Sequence, residues 1–347
     1  MTETLASRQF WIQAPGRGEI LEREIPASMA GALRIRALYS GISRGTESLV
    51  FRGEVPPSQF ETMRAPFQEG GFPGPVKYGY ASVGRVEVAP DGPPASNGTG
   101  TPPHLAGALL GQTVFCLHPH QDVYWVPPDA VTPLPADLPP GRAILAANME
   151  TAVNAVWDGG PAPGDRIVVV GGGVVGLLIA WLCGQLPGCE VVVEDVNPGR
   201  RSIVESLGLS FALGGTRSGE GGADLVFHAS GHPDGLPRAL GLAGSEATVV
   251  EVSWYGSRSV PLPLGEGFHS RRLTLKSSQV GRIPPHRAPR WDTARRMRLA
   301  LELLRADPLE ALISGESGFH ELPDVMARLS TAPGDALCHR IRYATAP

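Results

Sequence analysis

Val168-Val169-Val170-Gly171-Gly172-Gly173-Val174-Val175-Gly176 is the stretch that decides the fold. A β-branched run ends in three glycines, and an apolar segment of helical character follows. A strand enters such a turn and a helix leaves it. Gly171 suits the tight turn, Gly173 lets the main chain approach a pyrophosphate, and Gly176 lets the helix pack closely on the strand. The helix start at Val174 and Val175 then offers N–H groups and a partial positive charge to phosphates.

Working outward, the next strand reads Val191-Val192-Val193-Glu194-Asp195, and Asp195 lies nineteen residues beyond Gly176. A carboxylate there accepts both ribose hydroxyls and repels a 2′-phosphate. NAD(H) is therefore favoured. NADP(H) stays open, because Arg200 and Arg201 could reach a 2′-phosphate, while Glu194 is a second acid weighing against it. Strands and helices keep alternating: a strand at Ala223–His228, a helix near Leu236, and a strand at Thr248–Ser253. That alternation predicts an α/β fold with a doubly wound parallel sheet covered by helices. Ligands bind outside the carboxyl ends of such strands, which makes Ser230 and Ser253 further cofactor-binding candidates.

From Phe10 to about Val131 the pattern changes to short β runs broken by Gly and Pro, as in Ala81-Ser82-Val83-Gly84-Arg85-Val86. This predicts a β-rich module. Residues 91–107 read as a polar, Pro/Gly-rich loop. A helix is expected over Ala143–Trp157, another over Trp291–Arg305, and a closing strand near His339-Arg340-Ile341-Arg342-Tyr343. The expected organisation is a β-rich domain over 1–148, a dinucleotide-binding domain over 149–285, and a segment over 286–347 that returns to the first domain.

Composition bounds the function. Net charge is −4 over 347 residues, with 42% apolar and 18% charged residues. That suits a globular chain with two cores and gives no footprint for nucleic acid or membrane. Lys77 and Lys276 are the only lysines, a bias that weakens any argument from a single Arg. The start of the sequence lacks an apolar signal core. Cys116, Cys183, Cys189 and Cys338 form no CxxC pair, so reduced thiols and a cytoplasmic location are expected.

The order of a β-rich module, a dinucleotide fold and a return segment resembles the medium-chain dehydrogenase/reductase superfamily, which includes the zinc alcohol dehydrogenases. The matching stretches run nearly the whole length: Gly41-Ile42-Ser43, Gly79-Tyr80-Ala81-Ser82-Val83-Gly84-Arg85-Val86, Gly111-Gln112-Thr113-Val114-Phe115, Glu150-Thr151-Ala152, Pro163-Gly164-Asp165-Arg166 and the glycine turn. Gly41 to Glu47 and Pro119-His120-Gln121 look closest to bacteriochlorophyllide hydroxyethyl dehydrogenase-like proteins. The resemblance implies a GroES-like first domain and a Rossmann second domain. It also implies a small-molecule substrate and a homodimer paired through Leu273–Val280.

The departures from the family pattern fall on the metal. Ser43 stands where the first zinc ligand would be, Tyr80 where the second would be, and Ala147 near the third. The four-cysteine structural lobe is missing as well. Zinc needs about four N, S or carboxylate donors, so no metal is expected. A site rebuilt from His118, His120 and Glu150 is the alternative, its two histidines sharing one face of a strand. Without a metal, hydrogen-bond donors must handle charge on the substrate oxygen. The candidates, in order, are Tyr80, Thr46, Ser43 and His120, the last as a proton carrier to solvent. Glu47 matches an acid that supports the site from behind, so a structural role is expected, and Arg44 stands where the family places a pyrophosphate contact.

The function implied is zinc-independent hydride transfer between a nicotinamide cofactor and a secondary alcohol or ketone. Two readings compete with it. One is an enoyl or quinone reductase acting on C=C; the other is a dinucleotide-binding protein without turnover.

Overall fold

The structure is a computed structural model that describes residues 3–90, 107–215 and 222–344. All but the last residue of the loop read at 91–107 lies outside the described residues. The chain divides into two compact units, residues 1–147, 301–305 and 313–347, and residues 148–300 and 306–312.

The first unit opens with a hairpin of β1 (Thr4–Ala14) and β2 (Arg17–Pro26). β3 (Leu33–Ile42) buries Leu33, Ile35 and Ala37 at the two-residue period of a strand with one face inward. A short helix not anticipated from the sequence, α1 (Arg44–Phe51), follows at once. Its N-cap Ser43 makes no side-chain cap bond; instead Glu47 reaches back and accepts the Ser43 N–H at 2.8 Å. That contact satisfies a main-chain donor that a helix start otherwise leaves open. The unit continues through β4 (Glu69–Gly70), β5 (Val76–Lys77), β6 (Ser82–Val88), β7 (Thr113–Cys116), β8 (Val123–Val126) and β9 (Val131–Pro133).

The second unit contains most of α2 (Ala146–Gly159). Its sheet strands are β10 (Arg166–Val170), β11 (Glu190–Asp195), β12 (Ser210–Leu213), β13 (Ala223–His228), β14 (Ala243–Glu251) and β15 (Thr274–Ser277). Between them run α3 (Val174–Gly184), α4 (Arg201–Ser206) and α5 (Gly235–Leu242), and α6 (Thr293–Leu303) follows the sheet. The sheet order is β12-β11-β10-β13-β14-β15, and every neighbouring pair is parallel. This is the doubly wound arrangement that the strand–helix alternation predicts. On one face Val168, Val226 and Val249 pack with Leu236, Ala239 and Leu240 of α5. Each such buried aliphatic side chain contributes about 1.5–3 kcal/mol.

The chain then returns to the first unit with β16 (Ile313–Gly318), α7 (Leu322–Thr331) and β17 (Cys338–Arg342). β17 pairs antiparallel with β3, placing Ile341 opposite Ser40. The full order in this sheet is β16-β17-β3-β6-β7-β9, with β8 also on β3, and the smaller sheet runs β2-β1-β5-β4.

Several boundaries differ from the sequence reading. β14 begins at Ala243 rather than Thr248, and α4 begins at Arg201 after a 3-10 turn over Pro198–Arg200. β12, β16 and α7 were not anticipated. His118 and His120 stand in an irregular stretch between β7 and β8, not on a strand. The segment expected to return from residue 286 stays with the second unit through Ala300.

Arg296 explains that last difference. It is 2% exposed and bonds Glu150 at 3.1 Å, the Asn154 side chain, and the Val280 carbonyl at 2.6 Å. It therefore ties α6 and the loop after β15 to α2. Arg296→Ala strands a buried carboxylate, and the expected loss is about 3–5 kcal/mol in denaturant unfolding. The double variant Glu150→Leu, Arg296→Met should recover most of it. A loss below about 1 kcal/mol for the single variant would show that the pair does not anchor the segment.

Candidate functional site

The turn after β10 is built as its three glycines require. Gly171 has φ +110°, and a Cβ there would stand 2.6 Å from the Ser230 main chain. A Cβ on Gly176 would stand 2.0 Å from the Gly171 carbonyl oxygen. Both positions exclude a side chain, for backbone reasons. Gly173, the N-cap of α3, faces open space instead. Val174 and Val175 follow it and are partly exposed. An open glycine flanked by main-chain N–H groups at a helix start is the surface a pyrophosphate needs.

Asp195 ends β11 beside this turn. Its carboxylate accepts the Gly172 N–H at 2.6 Å and the Asn197 N–H at 2.7 Å, and it remains partly exposed. Arg200 is buried with its side-chain carbons against Gly172, and Arg201 lies over the Phe211 ring at 4.8 Å. Glu194 is 2% exposed and holds Arg238 through two bonds of 2.7 and 2.9 Å. Its charge is taken by Arg238, so it is not the second acid the sequence reading made it.

At the carboxyl ends of β13 and β14 the structure adds residues the sequence reading missed. His228 and Glu251 are register partners on the two strands. The fully buried His228 ring has Nδ1 2.8 Å from Glu251, and Nε2 2.6 Å from the Ser230 hydroxyl. The Ser253 N–H and the Tyr255 hydroxyl also donate to Glu251, at 2.6 and 2.7 Å. Ser253 Oγ accepts the Gly231 N–H at 3.1 Å. The available signal was two polar residues, His228 and Glu251, each directly after an apolar run, on strands that turn out to be neighbours.

In the first unit Ser43, Thr46 and Tyr80 come together. The hydroxyls of Ser43 and Thr46 both bond the Tyr80 phenol oxygen. Burial, reinforced by the Glu47 carboxylate, raises the proton affinity of Tyr80 well above that of a free phenol. The phenol therefore stays protonated at neutral pH and acts as a donor. Arg44 opens α1 beside this cluster, in the first unit.

His120 sits behind it. His120 Nε2 meets Glu47 at 2.8 Å and Nδ1 meets Ser40 Oγ at 2.7 Å; Ser40 in turn meets the Tyr343 hydroxyl at 3.0 Å. The Gln121 main chain bonds the Tyr343 oxygen in a way that lowers its proton affinity, so it donates. The donors then run in one direction: Gln121 N–H to Tyr343, Tyr343 to Ser40, Ser40 to His120 Nδ1, and His120 Nε2–H to Glu47. The carboxylate at the end also accepts the Ser43 N–H. Such chains strengthen cooperatively. Glu47 and His120 are each 1% exposed, so His120 has no path of its own to solvent. A Cβ on Gly79 would stand 2.9 Å from the His120 ring, which explains the glycine before Tyr80.

These residues do not fit a zinc ion of the family type. Ser43 and a protonated phenol are poor ligands, and Ala147 supplies no donor. The Cys338 thiol is pushed up to about 12 by burial and by Glu47, which opposes the thiolate that zinc requires. Among the described residues, no group of three His, Cys, Asp or Glu side chains is disposed to hold a metal ion. The alternative set also separates. Glu150 is taken by Arg296. His118 stacks on Tyr124 with ring centroids 3.6 Å apart, and burial pushes its pKa down to about 3.

No protein-family model matches the chain. RspB, a starvation-sensing protein of Escherichia coli, is 25% identical over 287 residues, covering 79% of this chain and 84% of its own. The zinc-type alcohol dehydrogenase-like protein YdjJ of the same organism is 26% identical over 259 residues, covering 63% and 69%. Solved structures share the fold over nearly all of both chains. L-idonate 5-dehydrogenase of E. coli superimposes with a TM-score of 0.76 at 17% identity, covering 98% of this chain and 99% of its own. The NADH complex of E. coli rspB gives 0.72 at 18%, covering 97% and 99%. Another structure of this fold is bound to NADP, with a TM-score of 0.73 at 17% identity and coverage of 97% and 99%. Among the described residues no helix is long and apolar enough to cross a membrane.

The neutral His118 carries a pH signature. Its folded pKa lies below the unfolded value of about 6.5, so the unfolded chain binds the extra proton and stability falls as pH drops below that value. Between pH 7 and pH 5 the wild type should lose about 2 kcal/mol more in urea unfolding than His118→Phe. Equal losses in the two proteins would show that His118 takes up its proton while folded.

Proposed function

Because this chain is homologous to zinc-type alcohol dehydrogenase-like proteins and carries the fold of the medium-chain dehydrogenase/reductases, we propose that it is a metal-independent, NAD(P)(H)-linked oxidoreductase. It interconverts a secondary alcohol and a ketone, with NAD(H) preferred. The observation that carries this reading is the phenol of Tyr80, held protonated and bonded by Ser43 and Thr46 where the relatives' pattern would put a metal.

The nicotinamide, when bound, supplies or accepts the hydride. The protein's own residues handle the oxygen. Tyr80 donates its hydrogen bond to the carbonyl oxygen and stabilises the negative charge that grows there. Ser43 and Thr46 donate into the phenol oxygen, so partial transfer of the phenolic proton is eased. Glu47 opposes full loss of that proton at rest and, with His120 behind it, keeps the start of α1 in place. In the second unit, Gly173 with Val174 and Val175 receive the pyrophosphate, and Asp195 receives the adenosine ribose. Arg200, packed beside Asp195 against Gly172, is the cation that would meet a 2′-phosphate. The exposed edge of the six-stranded sheet, β15, supports a homodimer paired strand to strand.

Tyr80→Phe should lower kcat/KM about 100-fold on ketones and leave NADH affinity within about twofold, since the phenol and its bonds to Ser43 and Thr46 are no part of the glycine turn. Exhaustive chelation should leave wild-type activity unchanged. Activity that chelation abolishes and zinc restores would refute metal independence. A panel of ketones against enones, run with NADH and NADPH, separates this reading from C=C reduction. Asp195→Ala should narrow the preference for NADH by about tenfold.

A further inference from the structure

We propose that His228 and Glu251 form a positioning pair that fixes the hydroxyl of Ser230 as a hydrogen-bond acceptor. The carboxyl end of β13 thereby becomes an acceptor site for an N–H or O–H donor on the nicotinamide half of the dinucleotide. The inference rests on the nucleotide-binding reading above and adds a residue-level rule for which ligand groups the site takes.

The argument begins with the count of protons. Glu251 is surrounded by donors: the Ser253 N–H at 2.6 Å, the Tyr255 hydroxyl at 2.7 Å and His228 Nδ1 at 2.8 Å. An ionised carboxylate in that setting accepts from each of them, which assigns the proton of a neutral His228 to Nδ1. Nε2 is then bare, and at 2.6 Å from Ser230 Oγ it accepts that hydroxyl's hydrogen. A serine hydroxyl has one hydrogen and two acceptor positions. The hydrogen is committed to His228, and one acceptor position takes the His232 N–H at 3.1 Å. The remaining lone pair belongs to an exposed residue. Ser230 therefore meets a ligand as an acceptor and does not turn to donate.

The surrounding structure holds this arrangement rigid. His228 is fully buried and cannot swing. The loop carrying Ser230 is tied to the loop after β14 twice, by the Gly231 N–H to Ser253 Oγ and by Arg258 to the Gly231 carbonyl at 2.6 Å. Gly235 makes room for the contact: a Cβ there would stand 2.2 Å from His228 Nε2 and 2.5 Å from Ser230 Oγ. Topology gives the ligand half. β13 flanks β10 on the side opposite β11. A dinucleotide whose adenosine ribose is on Asp195 extends over the ends of β13 and β14 with its other half. The donors it carries there are the carboxamide N–H groups and the ribose hydroxyls.

The test is calorimetric titration of the whole protein with NAD+ and with ADP, which lacks the nicotinamide riboside. Ser230→Ala deletes the acceptor. Gly235→Ala keeps every polar group but forces Ser230 and His228 apart, and it favours the helix by intrinsic propensity. Both variants should bind NAD+ about fivefold more weakly, the range expected for one neutral hydrogen bond, and bind ADP as the wild type does. Unchanged NAD+ affinity in Ser230→Ala would overturn the proposal. So would an equal loss for NAD+ and ADP, which marks a damaged loop and no specific acceptor. Wild-type protein that bound neither nucleotide would sink the underlying nucleotide-binding reading as well.

Discussion

The approach of two main chains at the end of β10 is the constraint on which the second unit depends. Gly176 stands so close to the Gly171 carbonyl that no side chain fits, and Gly171 is pressed equally against the Ser230 loop. Three elements, β10, α3 and β13, therefore converge on one point. That convergence orders the rest. Asp195 is bonded to the Gly172 N–H, so the acid that closes β11 is positioned by the glycine turn itself. Ser230 is positioned from the other side by the same contact. The proposed nucleotide surface is thus one connected piece of backbone, with side chains added at its two ends.

The first unit solves a different problem. A charged acid, Glu47, is buried beside the phenol of Tyr80, and burial of an unpaired carboxylate is costly. The cost is met by donors drawn from three separated parts of the sequence: Ser40 and Ser43, His120, and Tyr343. Along the file from Tyr343 through Ser40 and His120, each member has its polarity set by the one before, and Ser43 gives its N–H to Glu47 directly. The same acid raises the proton affinity of Tyr80 and holds the first turn of α1. The polar interior therefore does electrostatic and mechanical work through one group.

The glycine turn and the strand–helix alternation were legible because they are local patterns with a fixed period. The convergence of Ser43, Thr46 and Tyr80 was legible only through resemblance, since nothing local brings residues 43 and 80 together. Glu194 was misread for a simple reason: consecutive strand residues face opposite sides, so Glu194 and Asp195 do not both look at the ribose. His228 and Glu251 were missed because their meeting is a matter of strand register, which becomes visible only once β13 and β14 are known neighbours. α1 escaped notice because a long-range clamp on Glu47 holds its start, and propensity does not reveal it. The two histidines at 118 and 120 were given one face when the chain between β7 and β8 is irregular and sends their rings to different partners.

β17 follows the whole second unit in the chain, and it pairs with β3, which precedes that unit. On a ribosome the second unit has nearly all of its sequence in one uninterrupted block and can close early. The first unit waits, with the Tyr39–Ile42 stretch of β3 lacking one partner until β17 has been made, and an unpaired strand edge invites association with other chains. Tyr343 directly follows that strand, so the donor file behind Tyr80 is completed only after the second unit has been synthesised. A product truncated before β17 would thus carry a finished second unit and an unfinished acid–phenol cluster.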